Sequence, residues 1–286
     1  MRKSKFWISI FIILLIFFNI TACSNNNNEQ DKIKEKVSSE LEFLDSQILN
    51  MLNNLNNISF RNYEVVTQEI SKGSQSDSSS QGGGSKESSE SDQSSDSNQK
   101  VDSSKMITKG ILTNSYEPKW DDIKNTIEKL YSSWATIIID LYSININNYD
   151  ILNFSNDLEQ AIINIKNEDK QASLTTLAKL YSYIPKYSES YSPNQQVTNI
   201  YYTKSNIINA YALVEQDNWT AINTSISEAN RYYEYIVNDS NIIQEKQAKI
   251  SKSYTLLKEL QNCLDLKDKE VFYIKYKPIM QELDEL

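Results

Sequence analysis

Residues 120–141 read WDDIKNTIEKLYSSWATIIIDL, and their apolar members recur at Trp120, Ile123, Ile127, Leu130, Trp134, Ile137 and Leu141. Steps of three and four align along one face of an α-helix, whereas a half-buried strand would alternate every second residue. The start of the segment agrees: Pro118 suits a first helical turn, and Asp121 and Asp122 suit the positive end of a helix dipole. A long amphipathic helix is predicted here.

The same spacing extends in both directions. On the C-terminal side, Phe154, Leu158, Ala161, Ile162 and Ile165 predict a second helix, and Leu174, Leu177, Tyr181 and Ile184 a third that Pro185 closes. Ile200, Ile207, Tyr211 and Val214 continue the pattern, followed by Trp219, Ile222, Ile226, Ala229, Tyr233 and Ile236. Ile250, Tyr254, Leu257 and Leu264 mark a further helix, and Phe272, Tyr276, Ile279 and Leu283 the last, which Pro278 should kink or restart. On the N-terminal side, Ile33, Val37, Leu41, Leu44, Ile48, Leu52 and Leu55 form one more apolar face.

A faint repeat runs through the region. Glu168-Asp169-Lys170, Gln216-Asp217-Asn218 and Lys267-Asp268-Lys269 are alike, each placing an acidic residue to cap a new helix, at intervals of about 48 and 51 residues. These intervals match no named solenoid period and suggest successive helical hairpins. All five glycines precede residue 111, so the Asn-Gly or Asp-Gly turns of β-hairpins are missing from the helical region. Asn147, Asn167 and Asn238 are candidates for the left-handed helix-ending position that glycine usually fills. The expected fold is all-α, an antiparallel up-and-down bundle of helical hairpins.

Residues 73–109 break the pattern with Ser, Gln, Asp and Gly. A stretch so polar cannot bury enough surface to offset its ordering entropy, so a disordered insertion is expected. The expected organisation is residues 1–22 as a leader, 23–30 as a polar tether, 31–72 as an N-terminal helix docking back, 73–109 as the insertion and 110–286 as the bundle. Docking is preferred over a stalk because a lone helix would leave its apolar stripe in water.

The leader has Arg2, Lys3 and Lys5, then an uncharged apolar run from Phe6 to Phe18. That run is shorter than the roughly 20 residues needed to cross a bilayer as a helix. Ile20-Thr21-Ala22-Cys23 resembles the lipobox of bacterial lipoproteins. The resemblance implies cleavage before Cys23, a diacylglycerol on its thiol, further acylation, and display on the outer face of the cell membrane.

Composition narrows the chemistry. With 29 basic against 38 acidic residues, net −9, the chain lacks the basic excess that nucleic-acid binding requires. Histidine is absent, which removes His-based triads, His-ligated metals and the commonest general base. The two cysteines are Cys23 and Cys263. Once the first is lipidated the second has no disulfide partner within the chain, and it reads as a small buried hydrophobe. No catalytic residue, cofactor site or metal site is expected. Asp121 with Asp122 and Asp157 with Glu159 could bind a hard cation or act as an acid/base pair, but neighbours on a helix diverge by about 100° and read better as solvated faces. Tyr181, Tyr183, Tyr187 and Tyr191, then Tyr201 and Tyr202, then Tyr232, Tyr233 and Tyr235 are too crowded to share one face; core and rim packing accounts for most of them, and those that point outward suit glycan, peptide or protein contacts.

The runs Glu128-Lys129-Leu130-Tyr131-Ser132-Ser133-Trp134, Ile151-Leu152-Asn153-Phe154-Ser155-Asn156, Leu177-Ala178-Lys179-Leu180-Tyr181-Ser182-Tyr183 and Asn209-Ala210-Tyr211-Ala212-Leu213-Val214 resemble uncharacterised lipoproteins of clostridia and their relatives. The resemblance carries no activity and implies only the anchored location. The expected function is a non-enzymatic interaction or accessory module of the cell envelope; a small-ligand or cation site between helices is the alternative.

Overall fold

The computed structural model describes residues 23–58, 117–239 and 244–286, with side chains in the first helix described from Gln30 onward. The leader, the Ser-rich tract and the Cys23 side chain lie outside the described residues. The helices are α1 (Cys23–Leu55), α2 (Trp120–Ser143), α3 (Asn148–Lys166), α4 (Lys170–Tyr181), α5 (Tyr183–Tyr191), α6 (Gln195–Val214), α7 (Trp219–Val237), α8 (Gln244–Asn262) and α9 (Lys269–Asp284), with a 3₁₀ turn at Cys263–Leu266. No strand occurs among the described residues, and the fold is an all-α bundle.

Neighbours in sequence are neighbours in space. α2 packs on α3, α3 on α4, α6 on α7, α7 on α8 and α8 on α9, as short connections between antiparallel helices require. α4 and α5 also pack on α6, and α1 lies against α2, α4 and α5. The stripe of α2 is buried from Ile123 to Leu141, and in α1 Val37, Leu41, Leu44, Ile48, Leu52 and Leu55 are fully buried, so the two faces supply one continuous core. α1 begins at Cys23, so the expected polar tether has helical backbone, and it ends at Leu55.

The connections repeat one device. Asn147, Asp169, Asn194, Asn218 and Asp268 each accept a backbone N–H from the first turn of the following helix. In the middle repeat the cap is therefore Asn218 and not Asp217, which brings the caps at 169, 218 and 268 to an even spacing of about 50 residues. The left-handed residues are Asn57, Asn145, Glu168, Asp217 and Lys267, not Asn147, Asn167 and Asn238. At the end of α3 Asn167 is still right-handed as the C-cap and the reversal falls on Glu168 behind it, whereas after α2 it falls on Asn145 and Asn147 serves as the cap of α3.

Pro185 also acts differently from expectation. Its ring would collide with the carbonyl four residues back, so the helix it interrupts ends at Tyr181, while Pro185 itself sits in the first turn of α5. Pro278 lies inside α9, which runs unbroken to Asp284.

Candidate functional site

The carboxylate pairs do not converge. Asp121 and Asp122 stand exposed in the first turn of α2. Asp157 is engaged by Lys179 at 2.7 Å and by the Tyr183 hydroxyl at 2.9 Å, while Glu159 faces the outer groove between α2 and α3. Among the described residues no cluster of acidic or cysteine side chains could hold a metal ion. Cys263 is buried, its thiol donates to the Leu260 carbonyl, and burial pushes its pKa up, which favours the unreactive protonated form.

The tyrosines divide into core and surface. Tyr183 packs edge to face on Phe154 and Tyr187 meets the same ring at a tilt, beside Trp134, and the Tyr187 hydroxyl donates to the Asp150 carbonyl. Tyr181, Tyr201 and Tyr233 are likewise buried. Tyr211 donates to the Leu52 carbonyl and accepts from Asn56, tying α6 to the end of α1. These rings hold helices together.

Tyr202, Tyr232 and Tyr235 form a surface shelf on α6 and α7. Tyr202 and Tyr232 stack with ring centroids 4.4 Å apart and nearly parallel, and Tyr235, 54% exposed, meets Tyr232 edge-on. The Arg231 guanidinium lies 4.2 Å from the Tyr232 ring centre and is held by Glu228. Glu189 accepts from the Tyr202 hydroxyl at 2.6 Å. The shelf forms one side of a groove of about 570 Å³ that also includes Gln196, Asn199 and Asp239, and the Gln196 amide nitrogen is buried there with no hydrogen-bond partner. Rigid rings and a delocalised cation make a surface suited to polar recognition.

Sequence reading missed a second cluster. Lys204, on α6, is almost wholly buried and reaches both Asp45 of α1 and Asp284 of α9 at 2.6 Å. Tyr181 of α4 donates to the other Asp45 oxygen. Burial pulls the Lys204 pKa down, but the two carboxylates overrule it and leave the ammonium more firmly protonated than in water. Asp284 is pushed up, first by burial and with Lys204 opposing. The cluster lines a groove of about 790 Å³ between α1, α6 and α9. The sequence held one signal: Lys204 occupies a position on the stripe Ile200, Ile207, Tyr211. Its partners are 159 and 80 residues away, beyond any local pattern.

A third charged contact joins α1 to α2. Lys36 bonds Asp140 at 2.6 Å and lies 3.8 Å from Glu40, whose side chain is 13% exposed and whose second carboxyl oxygen has no partner. Burial, with Asp140 adding to it and Lys36 opposing, pushes the Glu40 pKa up to about 7. A carboxyl raised from about 4.5 on folding contributes stability that is complete below 4.5 and lost as pH rises through about 7. Glu40→Gln is therefore expected to stabilise the fold by roughly 1–2 kcal/mol at pH 8 and to leave it unchanged at pH 4.5. Urea midpoints at the two pH values check this, and an equal gain at both would contradict it.

No known protein family, curated protein or solved structure matches the chain. Among the described residues no helix is long and apolar enough to cross a membrane.

Proposed function

We propose that the chain is a lipid-anchored, non-enzymatic interaction module of a bacterial cell envelope, tethered through Cys23 and contacting a protein or cell-wall partner through the Tyr202–Tyr232–Tyr235 shelf. The observation that carries the reading is the shelf itself: three tyrosines and Arg231, fixed by stacking and by Glu189 and Glu228 at the surface. Such groups lose little side-chain entropy on binding because their neighbours already hold them, and Tyr and Arg are enriched among residues that dominate interfaces. The location rests on the leader and on the lipobox-like run ending at Cys23. The reading as a non-enzyme is supported by composition and placement: the chain has no histidine, Cys263 is buried, and the Asp121–Asp122 and Asp157–Glu159 pairs do not converge on a pocket.

Site-specific photocrosslinking tests the contact surface. A benzophenone side chain at Tyr235 in the producing cell is expected to give one dominant adduct, greatly reduced by Tyr232→Ala, while the same group at Asp265 near the 3₁₀ turn gives none. Equal adducts at both positions, or none at Tyr235, would remove the shelf from the proposal.

A further inference from the structure

The outer end of the α2–α3 hairpin carries an apolar cluster that the bundle does not use. Ile139, Tyr142, Tyr149 and Leu152 flank its turn with 64%, 47%, 69% and 57% of their surface exposed. Scattered apolar side chains on a surface need no explanation, but four around one turn do. From Leu141 to Tyr149 the chain has no charged residue. The turn is firmly built: Ile146 is buried, Asn147 caps α3, and the Ile146 amide bonds the Leu141 carbonyl. The exposed side chains are thus displayed on a rigid support.

The position of this turn is informative. The Lys36–Asp140 pair sets the first half of α1 beside the end of α2, and the bond from the Lys119 amide to the Asn54 carbonyl closes the opposite end. The two helices are antiparallel, so the apolar turn lies at the end of the bundle where α1 leads back to Cys23. The thirteen residues from Lys36 to Cys23 span about 20 Å as helix. Lys32, Lys34 and Lys36 fall in this stretch and are balanced by Glu29, Asp31 and Glu35, so it is locally neutral in a chain of net −9.

We propose that the α2–α3 turn is a membrane-contacting edge that seats the anchored protein on the lipid surface. The inference rests on the reading of Cys23 as the anchor. Aliphatic side chains at Ile139 and Leu152 match the acyl boundary, and Tyr142 and Tyr149 match the headgroup layer, where an apolar ring and a polar hydroxyl are both satisfied. A single tether leaves a body free to swing; a second contact fixes which face it turns outward.

The test separates the turn from the anchor. The chain from residue 23, with a hexahistidine tag in place of Cys23 and with Cys263→Ala, is bound to vesicles of neutral and anionic phospholipid containing a nickel-chelating lipid. An environment-sensitive fluorophore on Tyr149→Cys is expected to shift to the blue and to be quenched by spin-labelled lipid severalfold more than the same fluorophore on Asp217→Cys. Ile139→Glu with Leu152→Glu should abolish the shift while the tag keeps the protein on the vesicle. Equal response at 149 and 217 overturns the proposal. A shift that occurs without vesicles and grows with protein concentration also overturns it, assigning the face to a second copy of the chain. Acylation of Cys23 in cells is measured independently by fatty-acid labelling, so loss of the anchor reading and loss of the membrane edge give different results.

Discussion

Lys204→Met is expected to destabilise the bundle by about 3 kcal/mol, near the lower end of what removing one partner from a buried ion pair costs. The side chain is 3% exposed and joins three helices from distant parts of the chain, so its loss leaves Asp45, itself largely buried and still bonded to Tyr181, as an uncompensated charge. Asp284 is about half exposed and regains water, which is why the upper end of the range is not expected. Urea unfolding should show a lower midpoint with an unchanged slope, the sign of altered stability without altered exposure. Lys204→Met combined with Asp45→Asn should recover a large part of the loss, because the amide keeps an acceptor for Tyr181 and removes the stranded charge. A single variant within about 0.5 kcal/mol of the parent, the ordinary range for surface substitutions, would show that the cluster does not hold α1 in place. The pH dependence has a definite sign. The Lys204 pKa is raised on folding, so its contribution is present below the ordinary lysine value of 10.5 and lost only as pH rises through the higher folded value.

Cys23→Ala is expected to move the protein from the membrane fraction to the soluble fraction and to abolish its acyl labelling. The effect should be close to all-or-none, since two or more acyl chains anchor stably, and no described helix offers an alternative span. Unchanged fractionation together with unchanged acyl labelling would refute the anchor. Unchanged fractionation with labelling lost would instead point to the α2–α3 turn, and the double Glu variant at Ile139 and Leu152 should then release the protein.

The apolar stripes were readable because helical periodicity is local: Ile123 to Leu141 and Val37 to Leu55 announce a buried face within a few turns, and those faces are buried. The helix ends were less readable. Glu168, Asp217 and Lys267 take the left-handed position although none is the residue type usually assigned to it, because no glycine is present in the helical region to compete and the next residue supplies the cap. Pro185 was visible as a breaker, but its action falls four residues upstream, where its ring meets the carbonyl of the preceding turn. The crowding of tyrosines signalled that some must face outward without saying which. Tyr233 and Tyr235 are two residues apart, about 200° around the helix, and only their neighbours decide that the first is core and the second surface.

By itself, then, the sequence determined the all-α class, the core face of each helix and the absence of histidine chemistry, because each depends on residue type and on spacing along a few turns. The lysine at 204, the shelf of Tyr202, Tyr232 and Tyr235, and the apolar turn beside the start of α1 were decided only by tertiary structure. Each is a meeting of segments far apart in the chain, and a position on a helix face acquires its meaning from whatever the fold sets against it or leaves exposed.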